Sequence, residues 1–135
     1  MTSPPLILVV EDNEANQLLT RAVLELAGYR VVIAGSAAEA LERVHALTPD
    51  LILMDVQLPG QDGLTLTRTL KADSSSAGIP VVALTAHAMP GDREQALRAG
   101  CAGYISKPID TRTFGEQVRL FLADEVDDDR RLIAR

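Results

Sequence analysis

Asp50-Leu51-Ile52-Leu53-Met54-Asp55-Val56-Gln57-Leu58-Pro59-Gly60 holds an apolar run with no polar break that stops at a carboxylate. A half-buried strand alternates apolar and polar residues, so an unbroken run predicts a strand buried on both faces. Four further runs read as strands, of which the first is likewise unbroken. Leu6 to Val10 is five aliphatics followed by Glu11 and Asp12. Residues 30–34 contain Val31, Val32 and Ile33; residues 81–85 end at Thr85; residues 103–106 are followed by Lys107 and Pro108.

Amphipathic stretches separate these runs. In residues 13–27, Ala15, Leu18, Leu19, Ala22 and Leu26 fall at i, i+3, i+4, i+7 and i+11, which predicts one buried helical face, with Gly28 as the stop. Ser36 followed by Glu39 has capping-box spacing, and Ala37, Ala40, Leu41 and Val44 line the helix it opens. Thr48 and Pro49 end that helix. Leu64 to Leu70 alternates with period 2 and is rich in Thr, so taken alone it reads as a strand. The surrounding strand–helix rhythm makes it a helix. Residues 72–80 are a polar loop, and residues 90–99 form a short helix with Pro90 near its first turn. Asp110 caps a last helix whose face is Phe114, Val118, Phe121 and Leu122.

Five strands alternating with five helices predict an α/β fold, a doubly wound parallel sheet covered on both faces. The chain has 135 residues, 47% hydrophobic but only 3% aromatic, which suits one domain with an aliphatic core. Residues 1–5 form a lead, 6–123 the domain, and 124–135 a helix extension or flexible tail. One cysteine, Cys101, excludes an internal disulfide framework and reads as a small buried hydrophobe. A net charge of −6, from 19 acidic and 13 basic residues, argues against nucleic-acid binding. With no leader and no bilayer-length apolar run, the expected location is the cytoplasm, without membrane insertion. Met1 just ahead of the first strand favours a stand-alone protein.

In doubly wound folds, ligands sit at the carboxyl ends of the strands. A sheet order of 2-1-3-4-5 gathers Glu11, Asp12, Asp55, Thr85 and Lys107 into one pocket. Two like charges about 4 Å apart cost roughly 4 kcal/mol at an effective dielectric near 20. A raised carboxyl pKa could relieve this, but a divalent cation is the better answer, and an all-oxygen set suits magnesium. The loop after the first strand, Glu11-Asp12-Asn13-Glu14, is not a Gly-rich phosphate cradle, and there is no Walker lysine or nucleophile elbow.

These residues resemble the response-regulator receiver domain of two-component signalling across residues 6–122. The resemblance is carried by Leu8-Val9-Val10-Glu11-Asp12-Asn13, the stretch from Asp50 to Gly60, Val81-Val82-Ala83-Leu84-Thr85-Ala86 and Gly103-Tyr104-Ile105-Ser106-Lys107-Pro108. The wording is similar to stand-alone DivK-type receivers and to receivers attached to hybrid histidine kinases. It implies that Asp55 takes a phosphoryl group from a histidine kinase or histidine phosphotransfer protein. It implies magnesium on Asp12, Asp55 and the backbone carbonyl of Gln57, with Glu11 acting through metal-bound water. Thr85 and Lys107 would bind phosphoryl oxygens, and Pro108 would follow a cis peptide. Tyr104 would fill space vacated by Thr85, switching the face of the fourth helix, fifth strand and fifth helix for a downstream protein partner.

His45 reads as an exposed residue of the second helix. His87 is either an exposed loop residue or, with Gln57, a flank of the water path that sets phosphate lifetime. The implied function is a phosphoacceptor switch, not an enzyme. A magnesium-dependent phosphatase with an aspartyl-phosphate intermediate is the rival. It would place a second acid two residues after the nucleophile, where this chain has Gln57. A phosphate-independent scaffold is the other rival, and it has no need of the full Asp, Thr and Lys set.

Overall fold

The structure is a computed structural model that describes residues 3–58, 60, 62–86 and 91–126, with side chains described as far as Leu122. The elements are β1 (Leu6–Val10), α1 (Glu14–Leu26), β2 (Arg30–Ala34), α2 (Ala37–Leu47), β3 (Leu51–Asp55), α3 (Gly63–Ala72), β4 (Val81–Thr85), α4 (Asp92–Ala99), β5 (Gly103–Ser106) and α5 (Phe114–Val126). The strands form one sheet in the order β2-β1-β3-β4-β5, every pair parallel.

Successive side chains of a strand point to opposite faces, so an unbroken aliphatic strand feeds two cores. Leu8, Val10, Ile52, Met54, Val81 and Ala83 pack with α2, α3 and α4. Ile7, Val9, Leu51, Leu53, Val82 and Leu84 pack with Leu24 of α1 and with Phe114 and Val118 of α5. The two clusters explain why the central strands carry no polar residue before their last position.

Helix ends follow local chemistry. Asn13 caps α1 by accepting from the Asn16 N–H (2.9 Å). Ser36 Oγ accepts from the Glu39 N–H (3.2 Å), while the Glu39 carboxylate accepts from Gly35 N–H (2.6 Å), so the reciprocal bond lands one residue before the cap. The period-2 stretch is indeed helical. Leu64, Leu66, Thr67 and Leu70 are buried in α3, and the Thr67 and Thr69 hydroxyls donate to the carbonyls of Gly63 and Thr65, four residues back. Thr67 and Thr69 therefore sit in the helix with their hydroxyls paired.

Two expectations need correction. The stripe of Ala15, Leu18, Leu19, Ala22 and Leu26 does not face the core: Leu18 is 67% exposed and Leu26 90%. Thr20 and Leu24 are the buried residues of α1, with Val23 packed beside them. The helix carries two apolar stripes, and the one with Val23 and Leu24 packs with the sheet and α5. The Gln17 amide donates to the Glu11 carbonyl (2.6 Å) from the same helical face as the buried Thr20 and Leu24. At the other end of the chain, α5 begins at Phe114. The Asp110 carboxylate accepts from Arg112 N–H (3.0 Å) and its carbonyl from Thr113 and Phe114, capping a turn that feeds the helix. Phe114 and Val118 are buried and Phe121 and Leu122 half-buried, as the periodicity requires.

Candidate functional site

Register gathers the strand ends. Val10 pairs with Met54, so Glu11 and Asp55, one step further on, stand at the same level. Asp55 pairs with Leu84 and Thr85 with Ser106, so Thr85 and Lys107 follow at the adjoining strand ends. Lys107 is held there by its N–H, which donates to the Thr85 carbonyl (2.8 Å), and the Lys107–Pro108 peptide is cis.

The carboxylates of Glu11, Asp12 and Asp55 each offer an oxygen, all within 4.8 Å of one another. Glu11 and Asp55 are buried, and Asp12 is exposed at the mouth. Lys107 Nζ lies 2.9 Å from Glu11 Oε1 and 3.2 Å from Asp55 Oδ2. Burial works against the ammonium, but the hydrogen bond to Glu11 and the charges of Asp55 and Glu11 outweigh it, so the Lys107 pKa is held above its ordinary value. Lys107 is thus a fixed cation. One ammonium facing three clustered carboxylates leaves a local excess of negative charge on oxygen donors, which fits a hard divalent cation.

The remaining Asp55 oxygen, Oδ1, accepts from the Gln57 N–H (3.0 Å). The Glu11 carboxylate also accepts from Asn13 N–H (3.2 Å). Thr85 is buried and lines a cavity of about 160 Å³ together with Tyr104, Gln57, Ala83 and the α4 residues Gln95 and Ala96. Tyr104 is half-buried on that cavity. A second cavity, on the α1 side, runs from Glu11 and Lys107 past Pro108 to Leu19 and Thr20. Glu11, Asp12, Asp55 and Lys107 are therefore brought together, with the Gln57 N–H on Asp55, while Thr85 stands at the adjoining strand end with its carbonyl on the Lys107 N–H and lines the cavity that Gln57 shares. His87 lies outside the described residues.

Sequence reasoning missed Gly63. Its N–H donates to the Val56 carbonyl (2.9 Å), and a Cβ there would stand 2.1 Å from the Asp55 carbonyl oxygen. Only glycine lets α3 start against the back of the acidic strand end. Asp62 caps the helix, accepting from the Leu64 N–H (2.6 Å) and the Thr65 N–H (3.3 Å). The Asp62-Gly63 pair ahead of the ambiguous Thr-rich stretch was the available signal.

Residues 7–119 match the response regulator receiver domain. The chain belongs to the response regulator receiver family. It is 45% identical to the polar-differentiation response regulator DivK of Brucella anthropi over 121 residues, 90% of this chain and 98% of that protein. The receiver domain of the sensor histidine kinase PA1611 from Pseudomonas aeruginosa, solved with magnesium in its active-site cleft, superposes with a TM-score of 0.81. It is 36% identical and covers 89% of this chain and 98% of its own. A CheY-like receiver domain protein from Methanospirillum hungatei gives a TM-score of 0.84 at 29% identity, covering 93% and 99%. Phosphorylation on an aspartate is the general function of receiver domains, which act as signalling switches between kinases and downstream partners. Among the described residues, no helix is long and apolar enough to cross a membrane.

Proposed function

We propose that this receiver takes its phosphoryl group on Asp55. The observation that carries the reading is the Lys107 ammonium bridging Asp55 and Glu11 beside Asp12. Glu11 shares the burial, the Lys107 contact and an N–H on its second oxygen, but of the two only Asp55 ends the central strand β3, between the acidic end of β1 and the Thr85 end of β4. An Asp55 oxygen attacks phosphorus, the bond to the donor's imidazole nitrogen breaks, and the imidazole leaves. Charge spreads over the phosphoryl oxygens in the transition state, so fixed positive groups lower the barrier. Lys107 supplies one. The Thr85 hydroxyl and the Gln57 N–H are hydrogen-bond donors at the same rim. Magnesium, held by Asp12, Asp55 and the Gln57 carbonyl with Glu11 behind through water, would supply the remaining neutralisation.

Phosphorylated Asp55 carries about two negative charges, which draw Thr85 and Lys107 inward. Tyr104, on the cavity shared with Thr85, then occupies the vacated space and alters the face formed by α4, β5 and α5 for a downstream protein. The donors are a histidine kinase or a histidine phosphotransfer protein of the cytoplasm. A donor must cover the pocket mouth, and the exposed Leu19 of α1, on the cavity that Glu11 and Lys107 line, offers it apolar surface. Residues 6–123 form the receiver unit and 124–135 its extension. The protein is a stoichiometric acceptor and not a turnover catalyst.

Acetyl phosphate with magnesium, followed by intact mass, tests the reading. One adduct that disappears with chelator and in Asp55→Asn is expected. An adduct that survives in Asp55→Asn would move the acceptor elsewhere, and turnover of a generic phosphate ester beyond one equivalent would favour a phosphatase.

A further inference from the structure

Glu11 uses every hydrogen-bonding group it has. Its N–H donates to the Ala34 carbonyl (3.0 Å), one carboxylate oxygen receives Lys107 (2.9 Å), and the other accepts from Asn13 N–H (3.2 Å). Its carbonyl accepts from Gln17 Nε2 at 2.6 Å. Three of these links come from neighbouring main chain or from the pocket itself. The fourth is a side chain that reaches back over the first turn of α1 from six residues away.

That fourth link fixes a particular degree of freedom. The Glu11 carbonyl belongs to the peptide unit that joins Glu11 to Asp12, and a peptide unit is planar. Holding its oxygen therefore fixes the plane from which the Asp12 Cα, and so its carboxylate, departs. Asp12 is exposed at the mouth, and among the described residues no hydrogen bond or ion pair holds its side chain, so main-chain orientation sets where that side chain starts. Gln17 is itself confined. It is half-buried, its own N–H donates to the Asn13 carbonyl (2.9 Å), and its amide lies over Gly35, where a Cβ would stand 3.6 Å from Nε2. The Glu39 carboxylate accepts from the Gly35 N–H (2.6 Å) on the same side.

We propose that Gln17 is a positioning residue for the cation site, holding the Glu11–Asp12 peptide so that the Asp12 carboxylate faces Asp55 before any ion arrives. This rests on the proposed magnesium reading. Gln17 touches no reacting atom; it acts through the main chain of the loop. Its removal costs metal affinity because the loop must then be ordered when the ion binds.

The test compares wild type, Gln17→Met and Gln17→His at pH 8 by magnesium titration calorimetry on the unphosphorylated protein. Methionine keeps the length and apolar stem and removes the donor. Histidine, neutral at that pH, offers a ring N–H at a similar reach. A neutral hydrogen bond is worth roughly a two- to ten-fold change in an equilibrium, so Gln17→Met should raise the magnesium dissociation constant by about three- to ten-fold. Gln17→His should recover wild-type affinity within about two-fold. With acetyl phosphate, the magnesium concentration for half-maximal phosphorylation should move by the same factor, and the maximal rate far less. Equal affinity in Gln17→Met and wild type would overturn the inference. So would a loss that Gln17→His does not recover while both variants melt cooperatively, since packing would then be the cause. If wild type itself binds no magnesium, the cation reading fails first, and the two failures are distinct.

Discussion

Lys107→Met is the perturbation that asks most of the structure. The ammonium stands 2.9 Å from one buried carboxylate and 3.2 Å from another. At an effective dielectric near 20, each contact has a gross Coulomb energy of about 5–6 kcal/mol. Neither is a net contribution, because burying the ammonium opposes it. Removing the cation leaves Glu11 and Asp55 facing each other within 4.8 Å, and both remain buried. A carboxylate can escape such a place by taking up a proton. At pH 7 that costs about 1.36 kcal/mol for each unit separating the pH from an ordinary carboxyl near 4, so roughly 4 kcal/mol is the ceiling. Broken buried pairs generally cost about 3–5 kcal/mol. The Lys107 side chain is 19% exposed, so water reaches part of the site, and we expect about 3 kcal/mol. With a urea slope near 2 kcal/mol per molar, the midpoint should fall by about 1.5 M in metal-free buffer. Saturating magnesium should return much of this, since an ion that binds only the folded state stabilises it by mass action. A metal-free midpoint within about 0.3 M of wild type would refute the reasoning, because the two carboxylates would then not depend on the lysine.

Gly63→Ala should destabilise the protein by about 1–3 kcal/mol by overpacking against the Asp55 carbonyl, despite the better helix propensity of alanine, and should slow acetyl-phosphate labelling; thermal melts and intact mass check both. His45 on α2 reaches Asp73, beyond α3, with Nε2 at 3.3 Å and the Leu41 carbonyl with Nδ1 at 2.9 Å. Both partners are acceptors, so only the imidazolium satisfies both, and the Asp73 contact followed by the Leu41 carbonyl raises the His45 pKa. The link therefore contributes below the unfolded histidine value near ~6.5 and is lost as pH rises through the raised folded value. An NMR titration of the His45 ring should show the upward shift and its reduction in Asp73→Asn. Gln57→Ala and His87→Ala should each change the half-life of the phosphorylated state at least about two-fold, read by phosphate loss, with a larger effect meaning closer control of the attacking water.

The three inner strands β1, β3 and β4 were legible because burial on both faces leaves a signature, an unbroken aliphatic run, whereas the edge strands β2 and β5 are only partly buried and were read from the surrounding rhythm. Leu51 to Met54 and Val81 to Leu84 have no polar residue to misplace. The pocket was legible for a related reason: once parallel order is granted, the residue after each run is at the site. Helix orientation was not. Leu18, Leu19 and Leu26 outnumber Val23 and Leu24 in any apolar count, yet they face solvent, since the stripe that turns inward is the one that packs with the sheet and α5, and a count does not register that partner. Gly63 was invisible for the opposite reason. Its importance lies in an atom it lacks, and only the position of the Asp55 carbonyl reveals the need. Asp110 was right in kind and early by a turn, a usual ambiguity where a tight turn runs into a helix.

The seating of α4 sets how the molecule can breathe. α3 is anchored by Leu64, Leu66 and Leu70, whereas α4 buries only Ala96 and Ala99 and begins at Gly91 with no side-chain cap. A buried leucine is worth about 1.5–3 kcal/mol and a methyl group about 0.8, so the two helices differ several-fold in their hold on the sheet. Partial opening of α4 is then a low-lying excursion of the native ensemble, well below global unfolding. A few kcal/mol of new charge interaction at Asp55 suffices to redistribute such an ensemble, while the leucine-anchored side of the molecule stays in place. The two alanines make α4 the compliant wall of an otherwise stiff sandwich, and its amides should be the first among the helices to exchange with solvent.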